Sequence, residues 1–91
     1  LPKQEDWDAL FETINTINPN ACDFLLLHKS TMIQEDHRMC MLICAGFTPK
    51  VMKELLVCTS QKLSIQRKRF LEQYFNMRGS AKDFDLRLQS L

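Results

Sequence analysis

Glycine and proline are scarce in this chain, two and three residues respectively among 91. No Gly-rich phosphate loop can be assembled from them. No stretch alternates apolar and polar residues with period two, no internal repeat is visible, and no low-complexity segment divides the chain. Half-buried strands, solenoids and long linkers are therefore not expected. The longest apolar runs, Phe24 to Leu27 and Met39 to Phe47, fall well short of the roughly 20 residues that cross a bilayer. The four cysteines, Cys22, Cys40, Cys44 and Cys58, form no CxxC pair and no zinc-ribbon spacing. Each lies among apolar neighbours and reads as a reduced core residue, the usage of a cytosolic chain. The opening Leu1-Pro2-Lys3-Gln4-Glu5 has neither an initiator Met nor a basic-then-apolar leader. It reads as the start of a domain cut from a longer chain, whose other parts could include a membrane anchor.

What remains is ordinary globular material. A hydrophobic fraction of 45% and a charged fraction of 25% match soluble folded domains, and the length suits one core. The net charge of +1 hides an uneven distribution. Residues 1–37 hold seven acids and two bases, and residues 38–91 hold four acids and ten bases, so the two parts carry −5 and +6. A polyanionic partner for the second part follows as an expectation.

Helical spacing recurs throughout. Trp7, Leu10, Phe11, Ile14 and Ile17 predict an amphipathic helix over 5–17. Asn18-Pro19 both ends it and starts a second helix carrying Phe24, Leu25 and His28, because Asn caps well and Pro is tolerated where no donor is needed. Thr31 and Gln34 have capping-box spacing for a third helix with Cys40, Ile43, Cys44 and Phe47 on one face, closed by Gly46. Thr48-Pro49 opens a fourth helix of about ten residues, with Val51, Met52, Leu55 and Leu56 as its buried stripe. Thr59 and Ser60 cap a fifth, marked by Leu63, Phe70 and Tyr74. Gly79-Ser80 closes that helix, and Ser80 with Asp83 caps a sixth bearing Phe84, Leu88 and Leu91. The expected fold class is all-α, a compact helical domain with residues 1–30 as a lead-in packed on a module spanning 31–91.

Within that module, a helix ending at Gly46, a short helix and then a basic helix over about 60–76 have helix-turn-helix order. At about 100° per residue, Gln61, Lys62, Ser64, Ile65, Lys68 and Arg69 spread over the side opposite the apolar stripe. Lysine and arginine suit phosphate or guanine, Gln61 and Gln66 suit adenine, and Ile65 suits a thymine methyl. The bland reading of the same face is a solvated helix surface. Arg67 falls beside the apolar stripe and is expected to pair internally, for example with Asp36.

The stretch Asp36-His37-Arg38-Met39-Cys40-Met41-Leu42-Ile43-Cys44-Ala45-Gly46-Phe47-Thr48-Pro49-Lys50, followed by Leu55-Leu56, Thr59 and Ile65-Gln66-Arg67-Lys68-Arg69, resembles the LuxR-type (NarL/GerE-like) helix-turn-helix, in the variety found at the C-terminus of Bacteroides transcriptional regulators. The resemblance covers about residues 32–82, with Trp7 to Leu27 similar to the helical lead-in of that group. It implies sequence-specific binding of double-stranded DNA and homodimerisation through the final helix. Carried over by position, base reading falls on Ser64, Ile65 and Lys68, phosphate contact on Lys62 and Arg69, and the turn glycine on Gly46. Three places depart from the family pattern: Ile33 stands where Thr or Ser usually caps the first helix, Val51-Met52-Lys53 where Ile-Ala follows the turn lysine, and Thr59-Ser60-Gln61-Lys62 where the recognition helix usually opens Ser-Pro.

Rival chemistry is weaker. His37, Cys40 and Cys44 share helical spacing, but a metal site would lack a fourth ligand and a carboxylate support, and His37 is expected to be solvated near a helix start. No oxyanion-type turn accompanies a cysteine or histidine. The expected role is thus DNA binding for transcription regulation in the cytoplasm, with no enzyme activity, no cofactor, no metal and no membrane contact. The alternative is a helical protein-interaction or dimerisation module, docking through the acidic first helices or the Phe84/Leu88/Leu91 stripe.

Overall fold

Local signals place most helix boundaries. The computed structural model describes all 91 residues as six helices without strands: α1 (Gln4–Ile17), α2 (Pro19–His28), α3 (Gln34–Cys44), α4 (Pro49–Leu56), α5 (Ser60–Phe75) and α6 (Ala81–Gln89). The side chain of Asn18 accepts from Ala21 N at 3.2 Å, that of Thr48 from Val51 N at 3.4 Å, and that of Thr59 from Lys62 N at 3.1 Å. Each satisfies a donor that the first turn leaves without a helical partner. Ser80 and Asp83 form the expected reciprocal box. That box needs Gly79, because a Cβ there would collide with the Asp83 carboxylate.

At Gly46 the backbone takes φ of 85°, with Gly46 N donating to Ile43 O and Phe47 N to Leu42 O, both at 3.0 Å. This is a Schellman stop, which requires a left-handed residue and explains glycine at that position. Two non-glycine residues adopt the same conformation: Val57 after α4 and Asn76 after α5, each with φ of 52°. Asn76, not Gly79, therefore ends α5, an ordinary use of asparagine.

Val57 is different, since a β-branched side chain in the left-handed region is strained, and it is 72% exposed, so little burial offsets the strain. Val57→Gly should stabilise the domain by about 1 kcal/mol. The expected reading is a rise of about 5 °C in the thermal midpoint; an unchanged or lowered midpoint would show that the turn is not strained.

Three local expectations are corrected. Thr31 does not cap α3; its hydroxyl donates to His28 O at 3.0 Å, and α3 starts after Ile33 without a side-chain cap. Its first turn relies on Glu35 and Asp36, whose charge favours the helix N-terminus. Ile17 and Phe47, placed on buried stripes by spacing, are 60% and 39% exposed. Ile17 is the last residue of α1, and Phe47 lies beyond the Schellman turn, where helical periodicity no longer directs a side chain. His37 is buried, with its Nε2 2.9 Å from Leu25 O, so it ties α3 to α2.

One core of 18 buried residues runs from Trp7 and Ile14 on α1 to Phe84 and Leu88 on α6. The radius of gyration, 12.1 Å, equals the value of about 12 Å expected for a folded chain of this length. Helix α3 is its axis, touching α1, α2, α4 and α6, and is buried nearly all round from Met39 to Cys44. An aromatic group welds α2 to α5 and α6: Phe24 lies 5.6 Å from both Tyr74 and Phe75, and Phe70 and Phe75 lie 6.0 and 5.9 Å from Phe84. Such pairs add to the area they bury. At the far end of α6, Gln89 Nε2 donates to Ile43 O at 2.9 Å and its carbonyl accepts from Asn18 at 3.3 Å. Phe84 and Leu88 are fully buried, so the stripe read as a docking face for a partner is instead the inner face of α6.

Candidate nucleic-acid interface

The basic helix is held rigidly before any face is presented. Leu63, Arg67, Phe70 and Leu71 form the buried side of α5. Arg67 meets Asp85 of α6 in a two-pronged ion pair, Nε to Oδ1 at 3.0 Å and Nη2 to Oδ2, with side chains 7% and 15% exposed. Arg67 is thus internal as expected, but its partner is Asp85 rather than Asp36. Asp36 instead accepts from Gln66 Nε2 at 2.8 Å. The helical turn decides this: Arg67 and Gln66 differ by about 100° around the axis, and the packing of α6 on α5 claims the former.

The remaining surface divides into two strips. Lys62, Gln66 and Arg69, at i, i+4 and i+7, run beside the first turn of α3. Lys62 Nζ lies 3.1 Å from Glu35 Oε1, and this hydrogen bond raises the lysine above its ordinary range. Burial pushes the Asp36 carboxyl up, while the Gln66 hydrogen bond and the nearby Arg69 charge pull it back. Gln61, Ile65 and Lys68 form the second strip, all exposed, with Ser64 half-buried beside them. No side chain of this second strip takes part in either of the two salt bridges. Ile65 is 58% exposed at its centre. Arg69 is exposed at the boundary of the two, its guanidinium 5.7 Å from the Phe70 ring centre.

Every predicted face residue therefore lies on one helix and reaches solvent, yet Lys62 is engaged by an acid and Lys68 is not. Glu35 is missed altogether, and Asp36, expected opposite Arg67, engages Gln66 instead; both belong to the acidic segment 1–37. No local spacing could have found them, because they are 27 and 30 residues from their partners. The charge asymmetry of the sequence is thus partly neutralised inside the fold.

No group of three or more His, Cys, Asp or Glu side chains is placed to hold a metal ion. All four cysteines are free thiols, three of them buried. Burial holds Cys40 well above its ordinary range and pushes Cys44 up to about 12, which favours the protonated thiol. No helix is long and apolar enough to cross a membrane. Comparison with protein-family models, curated proteins and solved structures finds no match.

Proposed function

We propose that the chain is a double-stranded DNA-binding module of LuxR type, the output end of a transcriptional regulator, with α4 and α5 as a helix-turn-helix and α5 in the major groove. The observation that carries this reading is the outer strip of α5, where Gln61, Ile65 and Lys68 are exposed on a helix anchored by its opposite side. A strip of one cation, one amide and one apolar side chain, free of acids until Glu72, is suited to base edges and phosphate together. Ile65, 58% exposed, would supply the apolar contact that a thymine methyl takes. The role is that of a binding module rather than an enzyme.

Fluorescence anisotropy against duplex DNA over a range of salt tests it. Binding should weaken steeply with salt, and Lys68→Ala should lower the log–log slope by about 0.9, one released counterion. Glu35→Gln should raise the slope by a similar amount, because it frees Lys62 for a phosphate. Ile65→Ala should relax preference at one base position and spare non-specific affinity. Absence of binding to any duplex at low salt sinks the proposal.

A second reading, association with another protein or a second copy through α6, rests on Leu86, 54% exposed on the outside of that helix. Sedimentation of wild type and Leu86→Glu separates the two: dimerisation through α6 requires a mass shift that the variant abolishes.

A further inference from the structure

The first three helices and the α2–α3 connection line a half-open groove of about 400 Å³ that includes no residue of α4, α5 or α6. That volume lies within the range of small-molecule clefts. Its apolar lining comes from Phe11 on α1, Leu26 on α2, Met32 in the connection and Met41 on α3. Trp7 also lines it, is 5% exposed, and carries the one buried side-chain nitrogen or oxygen in the chain without a hydrogen-bond partner, its indole Nε1. The nitrogen exposes essentially no surface to the groove, so a ligand there meets the indole ring rather than its N–H.

The charges around the groove have both signs and no matched partners. Arg38 covers the Trp7 ring, its Cζ 4.9 Å from the centre, and donates through Nη2 to Gln4 Oε1 at 3.0 Å. Lys29, Asp8 and Glu12 lie on the same lining. The two salt bridges of the chain involve none of these four. Asp8 accepts only from the neutral Gln4 amide, at 2.9 Å. A simple carboxylate entering here would meet two acids, and a simple amine would meet two bases. A zwitterion suits both.

The geometry points to a site for a free α-amino acid with an apolar side chain. Its carboxylate is taken by Arg38, its ammonium by Glu12, and its side chain lies on Phe11, Leu26 and the two methionines. This site stands whether or not α5 meets DNA.

Trp7 is the single tryptophan of the chain, so its indole N–H gives one resolved proton–nitrogen correlation in an NMR spectrum. Labelled protein would be titrated with L-leucine, L-methionine and L-phenylalanine to roughly 10 mM, a range that captures even weak ligands. The N-acetyl and the carboxamide derivative of each would be run alongside. A saturable shift of the indole correlation is expected with at least one free amino acid. Each derivative should bind roughly tenfold more weakly, because each deletes one charged end. Glu12→Gln, a change at an exposed position, should weaken the free amino acid by a similar factor and leave the N-acetyl form unchanged. An unmoved indole correlation across the panel overturns the site. Equal binding of an N-acetyl derivative and its parent overturns the zwitterion assignment.

Discussion

Replacing Asp85 by alanine is expected to remove about 3–5 kcal/mol of folding free energy, the usual consequence of leaving one member of a buried ion pair alone. The pair qualifies because Arg67 and Asp85 side chains are 7% and 15% exposed and meet through two hydrogen bonds. Without Asp85 the Arg67 guanidinium would remain buried between α5 and α6 with no counter-charge. The double variant Arg67→Met/Asp85→Leu should recover most of the loss, since similar-sized apolar replacements of buried pairs are often neutral or stabilising. Urea unfolding measures both. A loss below about 1 kcal/mol for Asp85→Ala would place the pair among solvated surface bridges instead.

Met52→Ala, which installs the residue usual in LuxR-type modules, is expected to destabilise by about 2–5 kcal/mol. Met52 is 0% exposed and belongs to the central cluster, while its α4 neighbours Val51, Leu55 and Leu56 are only half-buried. It is the single fully inserted side chain by which α4 is fastened to the core, and its removal leaves a cavity that a helix of eight residues can close only by moving. Met52→Leu, nearly volume-conserving, should cost less than about 1.5 kcal/mol. If the alanine variant were as stable as wild type, α4 would have to collapse onto α3. A change in the pose of α5, seen as altered duplex affinity, would then accompany it.

Much of the fold was legible because its signals are local. Asn18-Pro19, Thr48-Pro49, Thr59 and Ser80–Asp83 act within four residues of themselves, and the structure uses each as its chemistry requires. Thr31 shows the limit of such spacing. The same three-residue interval that makes Ser80 a cap leaves Thr31 bonding backwards to His28, because α2 reaches to that point and its last carbonyls also need donors. Ile17 and Phe47 show another: periodicity describes a helix only as far as the helix extends, and both stand at an end.

The candidate site divides along the same line. Which residues of α5 face outward follows from helical angle alone, and Gln61, Ile65, Lys68 and Arg69 are all exposed. Which of the outward cations are already occupied does not follow, because Glu35 reaches Lys62 across 27 residues of chain and Asp85 reaches Arg67 across 18. Nor could spacing reveal the groove around Trp7, whose walls come from three helices. Repeat, cap and turn are properties of consecutive residues, so this sequence by itself determined six helices, most of their ends and the composition of the basic face. Ion pairs and cavities are properties of surfaces brought together by packing. Only the tertiary structure decided that Lys62 and Gln66 turn to α3, that Arg67 is clamped to α6, and that Lys68 and Ile65 are left free on the outer strip.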